Sequence, residues 1–220
     1  MAKITKKSRD LFYAMIIGDG HLDKYGQLNI RHCERQEGYV RWKHKVLKKH
    51  NISVSRIRTY KSNGTTQYGF STKVYKFSKL FRKILYTPKK TVGIRKQLNR
   101  LTPLGIAIWY MDDGSLTTLK NKDGYVRGSA LRIHTNLSKE ENQVIIDYFQ
   151  EIWNIKFKQN KKNSYYELVM HTKEARKFLQ IVEPYVRRVS CMHHKLKIKP
   201  IGRIKRSEKA ASSNINEEMI

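Results

Sequence analysis

No stretch of this chain approaches the ~20 consecutive apolar residues that a membrane-spanning helix needs, which excludes that class of protein. Cysteine is nearly missing: Cys33 and Cys191 suit a reducing compartment and leave no disulfide framework. Cys191 stands close to His193 and His194, yet no second spaced pair completes a zinc site. The N-terminus has neither an apolar signal region nor a long presequence rich in arginine and serine. The expected location is therefore intracellular and not secreted, in a prokaryote or phage host or in the organelle that encodes the protein. Acidic residues are the decisive shortage. Only 18 Asp and Glu face 46 Lys and Arg, a formal net charge of +28. A surplus of that size points to a polyanionic partner, nucleic acid before any other. The bases are spread along the chain instead of being gathered on one amphipathic helix, so an anionic membrane surface is not expected.

What is present suffices for a core: 39% of the 220 residues are hydrophobic, enough for one large domain or two small fused ones. Two apolar runs organise it, Leu11 to Gly20 and Leu104 to Gly114, each ending in an acid followed by glycine. The acids are Asp19 and Asp113. Apolar side chains all the way round predict two buried helices. Thr102-Pro103 reads as an N-cap followed by proline at the first helical position, and Ser8 is the expected cap of the first run. Gly20 and Gly114 read as residues just past a helix end. A carboxylate there lies at the negative end of the helix dipole and is disfavoured. Two such carboxylates brought together repel further unless a cation sits between them.

The same succession of elements is predicted after each acid. Gln27 to His32 alternates with period two, turning Leu28 and Ile30 inward and Gln27, Asn29 and Arg31 outward. A helix over about 37–50 carries Tyr39, Trp42, Val46 and Leu47 at helical spacing. Ile57 to Phe70 reads as a hairpin turning at Asn63-Gly64, with Arg56, Arg58 and Gln67 on the faces opposite Ile57, Tyr68 and Phe70. A basic helix through Leu80, Phe81 and Leu85 follows, then a linker over about 86–101. In the second half Leu131 to His134 repeats the first strand, with Arg132 and His134 on its polar side. Ser138 to Glu141 is a capping box. Ile155 to Lys158 and Tyr166 to Met170 form the second hairpin. Ser71-Thr72-Lys73 and His171-Thr172-Lys173 close the two hairpins alike. A polar insertion around Thr117 to Val126 is the main departure from the repeat, and a polar tail over 207–220 is expected to stand apart from the site.

Both runs resemble the LAGLIDADG signature of homing endonucleases, with Phe12 to Gly20 and Ile106 to Gly114 covering its nine positions. Ala107, Asp19, Asp113 and the two glycines match by identity. Asp112 stands where the family usually has a small residue packed against the other helix. Two copies in this length are similar to the single-chain, two-motif intron-encoded members, over roughly residues 8–200. The resemblance implies an α+β fold of two pseudo-twofold αββαββα halves, 1–100 and 101–206, with motif helices at about 8–20 and 103–114. Their antiparallel sheets would form a saddle on double-stranded DNA. It also implies a monomer that cuts both strands across the minor groove, leaving 3′ overhangs at a long pseudo-palindromic target, and so promotes mobility of its host intron.

The chemistry of the residues agrees. Hydrolysing a phosphodiester needs an activated water, charge neutralisation and help for the leaving oxygen, and divalent cations between carboxylates supply all three. Oxygen donors without a His/Cys cluster favour Mg²⁺ (or Mn²⁺), held by Asp19 and Asp113. The backbone carbonyls of Gly18 and Asp112 are further candidate ligands, since helix ends leave carbonyls free. Lys90 and Lys195 fall at basic positions of the family and are the candidate catalytic lysines, which would polarise the metal-bound water or stabilise charge on the phosphate. Strand-face residues Asn29, Arg31, Arg56, Arg58, Gln67, Arg132, His134, Lys156 and Lys158 are the candidate DNA contacts. Arg31 falls where the family often has a polar, water-organising residue; its second-half counterpart is either Arg132 or His134. The alternative is binding without cutting: an RNA maturase acting on host intron RNA, or a DNA-binding regulator on the same scaffold.

Overall fold

Thr5, rather than Ser8, starts the first helix. In the computed structural model, which describes residues 3–62, 64–86, 89–199 and 201–203, helix α1 spans Lys6–Ile17. Thr5 Oγ1 accepts the Ser8 N–H at 3.1 Å while Ser8 Oγ accepts the Thr5 N–H at 3.2 Å. This reciprocal pair satisfies two otherwise orphaned amides, so the helix begins and ends earlier than the expected 8–20. It stops at Gly18, and the Gly20 N–H turns back to the Met15 carbonyl at 3.0 Å. Helix α5 (Pro103–Asp113) starts as its sequence predicts, with Thr102 Oγ1 accepting the Gly105 N–H at 3.1 Å. Gly114 follows its last residue. Every residue from Leu11 to Ile17 and from Gly105 to Met111 is buried, because the two helices pack against each other at the centre of the core. Gly105 makes the approach close: a Cβ there would stand 3.2 Å from the Ala14 methyl.

Each central helix leads into a four-stranded antiparallel sheet. The first comprises β1 (His21–Leu22), β2 (Leu28–Cys33), β3 (Arg58–Ser62) and β4 (Thr65–Ser71) in the order β1-β2-β4-β3. The second comprises β5 (Gly114–Lys120), β6 (Tyr125–Leu137), β7 (Lys158–Lys162) and β8 (Tyr165–His171) in the order β5-β6-β8-β7, with β9 (Gly202–Arg203) added beside β6. Helices α2 (Glu37–Lys49) and α6 (Lys139–Trp153) separate the strand pairs, and α3 (Lys76–Leu85) and α7 (Thr172–Val186) follow them. The expected αββαββα order is thus present twice. The described residues of the linker between the halves include a short helix, α4 (Arg95–Leu98), packed on α6.

Three local expectations change. The polar insertion is a hairpin extension, β5 running into a 13-residue β6 through a turn at Gly124, φ +82°. The second hairpin is shifted: β7 begins at Lys158 and turns at Asn163, φ 56°, so Lys156 precedes the strand. Its amide donates to Glu174 Oε2 at 3.0 Å, a tie to α7 that the apolar alternation of Ile155 and Phe157 did not show. Asn63 and the 207–220 tail lie outside the described residues.

Pairing register aligns the halves. Thr72 Oγ1 accepts the Leu28 N–H at 3.3 Å, and Thr172 Oγ1 accepts the Ser129 N–H at 2.9 Å. Arg31 then lies opposite Gly69, which faces Arg58, while Arg132 lies opposite Val169, which faces Lys158. Arg132, rather than His134, is therefore the counterpart of Arg31. In the same register His32 corresponds to Ile133 and Gln67 to Glu167.

Candidate active site

The ends of α1 and α5 bring Asp19 and Asp113 to the wall of one cleft of about 430 Å³, together with Gly18, Lys90, Trp109 and His134. Asp113 is the last residue of its helix, and its Oδ2 accepts the Trp109 indole N–H at 3.0 Å, one turn back. Asp19 lies just past its helix, its side chain 44% exposed. Burial first, then the neighbouring Asp112, pushes the Asp19 carboxyl above the usual range. Burial, Asp112 and Asp19 push Asp113 up to about 7. Each acid thus resists ionisation partly because other acids are near. Such a pair suits a divalent cation, whose charge would restore both carboxylates, and its oxygen donors match a hard ion.

A lysine closes each helix end. Lys90 Nζ donates to the Gly18 carbonyl at 2.5 Å. Lys195, in the short 3₁₀ helix Ser190–Leu196, donates to the carbonyls of Met111 and Tyr110. Burial draws both ammonium groups below the usual lysine range, while the three acids pull them back up. The Gly18 carbonyl, a candidate ligand by sequence, therefore already holds a cationic group, although a carbonyl oxygen has a second lone pair. His193 and His194 bond backbone carbonyls of Arg187 and Cys191, without forming a zinc cluster among the described residues.

Beside Asp19 lies a buried network that the sequence reading missed. Asp19, His32 and Asp112 place ligand-type atoms within 4.8 Å of one another. Their common cation is Lys43, whose side chain and that of Asp112 are both wholly buried. Lys43 Nζ meets Asp112 Oδ1 and Oδ2 at 2.7 and 2.8 Å and His32 Nε2 at 3.1 Å. It also stands 4.4 Å from the Tyr39 ring centroid. Burial alone would raise Asp112, yet Lys43 and His32 hold its carboxyl below the usual range. Burial and Lys43 pull His32 down to about 4, so the imidazole is neutral near pH 7. With Nε2 accepting from Lys43, its proton is assigned to Nδ1, 3.0 Å from Gln36 Oε1 and 3.5 Å from Asp19 Oδ2. The signal for Lys43 was available: Tyr39, Lys43 and Leu47 fall four residues apart on one face of α2, and all three are fully buried.

The candidate DNA contacts divide between the sheets. On the first, Arg31, Arg58 and Gln67 share one face by register, and the Arg31 guanidinium lies 3.9 Å from the Tyr60 ring centroid. Asn29 is half-buried on that face, its amide donating to the Gln27 carbonyl at 3.2 Å. Arg56 is exposed just before β3. On the second sheet Lys158 is exposed, but Arg132 and His134 are tied to the buried acid Glu167. Arg132 Nε reaches Glu167 Oε1 at 3.1 Å and His134 Nδ1 reaches Oε2 at 3.0 Å. A lone acid inside the apolar run Tyr166 to Met170 was the sequence mark of this pairing.

Fold and site together define a duplicated α+β protein with an acid pair where its halves meet. The chain belongs to the LAGLIDADG DNA endonuclease family, whose pattern matches residues 9–178. "Protein RecA" of Mycolicibacterium flavescens is 29% identical over 198 residues, covering 84% of this chain and 45% of that protein. "Cytochrome b mRNA maturase bI2" of Saccharomyces cerevisiae is 28% identical over 207 residues, covering 84% of this chain and 46% of that protein. The chain spans about half the length of these curated relatives. Among solved structures, the homing endonuclease I-WcaI bound to its DNA recognition sequence shares the fold, with a TM-score of 0.71 over 91% of this chain and 90% of that one, at 20% identity.

Proposed function

We propose that this chain is a sequence-reading, divalent-metal-dependent endonuclease. It acts as a monomer on double-stranded DNA and makes a double-strand break with 3′ overhangs at a long pseudo-palindromic target, thereby spreading its host intron. The observation that carries this reading is the shared cleft of Asp19 and Asp113, each at a helix end capped by a lysine, half-buried Lys90 at one and buried Lys195 at the other. Asp19 and Asp113 would hold Mg²⁺ or Mn²⁺, with the Gly18 and Asp112 carbonyls as further oxygen donors. When bound, the cation supplies nucleophile activation and neutralises charge on the phosphate and the leaving oxygen. Lys90 and Lys195 place an ammonium at each helix end, where charge builds on the phosphate being cut. Arg31, Arg58 and Gln67 offer donors for base edges, and Arg56, Lys156 and Lys158 offer charge to phosphates. Arg132 keeps its two Nη groups for DNA while Nε bonds Glu167.

The test is cleavage of a plasmid library of randomised inserts by the full chain with Mg²⁺, followed by end sequencing. Paired ends with 3′ overhangs of constant length, absent in EDTA, are expected. Asp19→Asn and Asp113→Asn should each stop cutting and retain binding. Loss of binding in both variants, or cutting without a divalent ion, would refute the mechanism.

The relative named as a maturase supports a second reading, assistance to intron RNA splicing on the same surface. A splicing assay of the intron that carries the gene, with and without protein, separates the two: stimulation that survives Asp113→Asn would assign the RNA activity.

A further inference from the structure

The two helix ends are not alike. Immediately before the acid, α1 has Gly18 and α5 has Asp112. These positions meet: a Cβ built at Gly18 would stand 2.1 Å from Asp112 Oδ2. The missing side chain on α1 is therefore what lets the Asp112 carboxylate cross from the second half into the first. There Oδ2 accepts the backbone N–H of Asp19 at 3.0 Å, and both oxygens are held by Lys43 of α2. The three ammonium protons of Lys43 meet three acceptors, two on Asp112 and one on His32, so the pair is closed without bulk water. His32 in turn stands beside the Asp19 carboxylate. Among the described residues, nothing comparable serves the other acid. Asp113 is held by Trp109 of its own helix, and the counterpart of His32 is the apolar Ile133.

Given the nuclease reading above, we propose that Asp112 and Lys43 are positioning residues for Asp19, whose peptide and neighbouring imidazole they contact. A carboxylate lent by the second half and a lysine from the first fix the Asp19 peptide and the imidazole against it. Cutting of the two DNA strands then depends unequally on one buried ion pair.

The test compares wild type with the double variant Lys43→Met/Asp112→Gly, which leaves no unpaired buried charge and makes the two helix ends alike. The first readout needs no DNA. Amide hydrogen exchange at Asp19 is expected to speed up about 10-fold on losing a charged acceptor, while Gly114, whose N–H bonds the Tyr110 carbonyl, stays within about 2-fold. Equal acceleration of both amides, or of neither, overturns the assignment. The second readout uses the duplex selected by wild type, carrying a different dye on each strand, with Mg²⁺. One strand should slow at least about 10-fold more than the other, the size expected for a small misplacement of a reacting group. A core that is merely loosened would slow both strands equally, and that result also overturns the assignment. If the double variant does not fold, Asp112→Asn is read in the same way, with a smaller shift of the same sign. A wild-type protein that cuts neither strand would refute the nuclease reading, and the exchange experiment would still decide whether Asp112 braces Asp19.

Discussion

In the first half, the wall beside the acid is polar and fully paired: His32, Lys43 and Gln36 face inward, and the sheet face outside carries Arg31, Arg58 and Gln67. The second half reverses this arrangement. Its inner wall has Ile133, and the acid has moved to the sheet, where Glu167 holds Arg132 and His134. The order of elements and of strands is the same in both halves, so the fold does not require either lining. A buried ion pair is tolerated only where every hydrogen bond closes, and Gly18 opposite Asp112 creates that chance on one side alone. A duplicated scaffold thus carries two unlike halves, one with an ion pair on its inner wall and one with charged pairs on its outer sheet face.

Four measurements bear on the difference between the two halves. The largest effect is expected at the acids. Asp19→Asn and Asp113→Asn should each lower double-strand cutting by on the order of 10²–10³, read as linear product on a gel, with affinity retained. Next, Lys43→Met should destabilise the protein by about 3–5 kcal/mol, because it orphans the Asp112 carboxylate. Ile133→Val at the matching position should cost about 0.5–1.5 kcal/mol in the same urea titration. If both cost the same, the inner walls do not differ as described.

The third is a pH effect on the metal-free protein. Folded Asp113 keeps its proton up to about 7, whereas an unfolded aspartate releases it near 3.8. Between those values the folded state binds more protons, so this group's contribution is fully present below about 4 and is lost as pH rises to about 7. The slope is at most about 1.4 kcal/mol per pH unit. Asp112, held below its usual range, acts in the opposite sense and loses its contribution only in stronger acid. Urea midpoints of wild type and Asp113→Asn across pH 4–8 isolate the term, and a constant difference between them would refute it. The smallest effect is expected from Glu167→Gln, which copies Gln67 of the first sheet. By freeing Arg132 it should tighten DNA binding and steepen the salt dependence by about 1 in slope, measured by anisotropy.

Much of this was legible in the chain. Thr102-Pro103 and Ser138 to Glu141 set helix starts that depend on local hydrogen bonds, and both helices begin there. The alternation of Leu28 and Ile30 also predicted their burial. Local patterns failed where two choices competed. Thr5 and Ser8 both suit a cap, and Ile155 to Lys158 alternates as a strand would although the ladder begins at Lys158. The counterpart of Arg31 was ambiguous because β6 is irregular between Ile133 and Leu137; the threonine contacts of the two hairpins resolve it. Lys43 and Glu167 were passed over because a charged side chain reads as surface until its partner is seen.

The repeat, the buried motif helices, the positive charge and the two acids follow from local spacing, composition or a motif. Folding added that Asp112 crosses the boundary between the halves to Lys43, that Glu167 pairs with Arg132 and His134, and which residues are counterparts. Those outcomes depend on which side chains meet across distant segments, and a buried charge finds its partner only once the helices have packed.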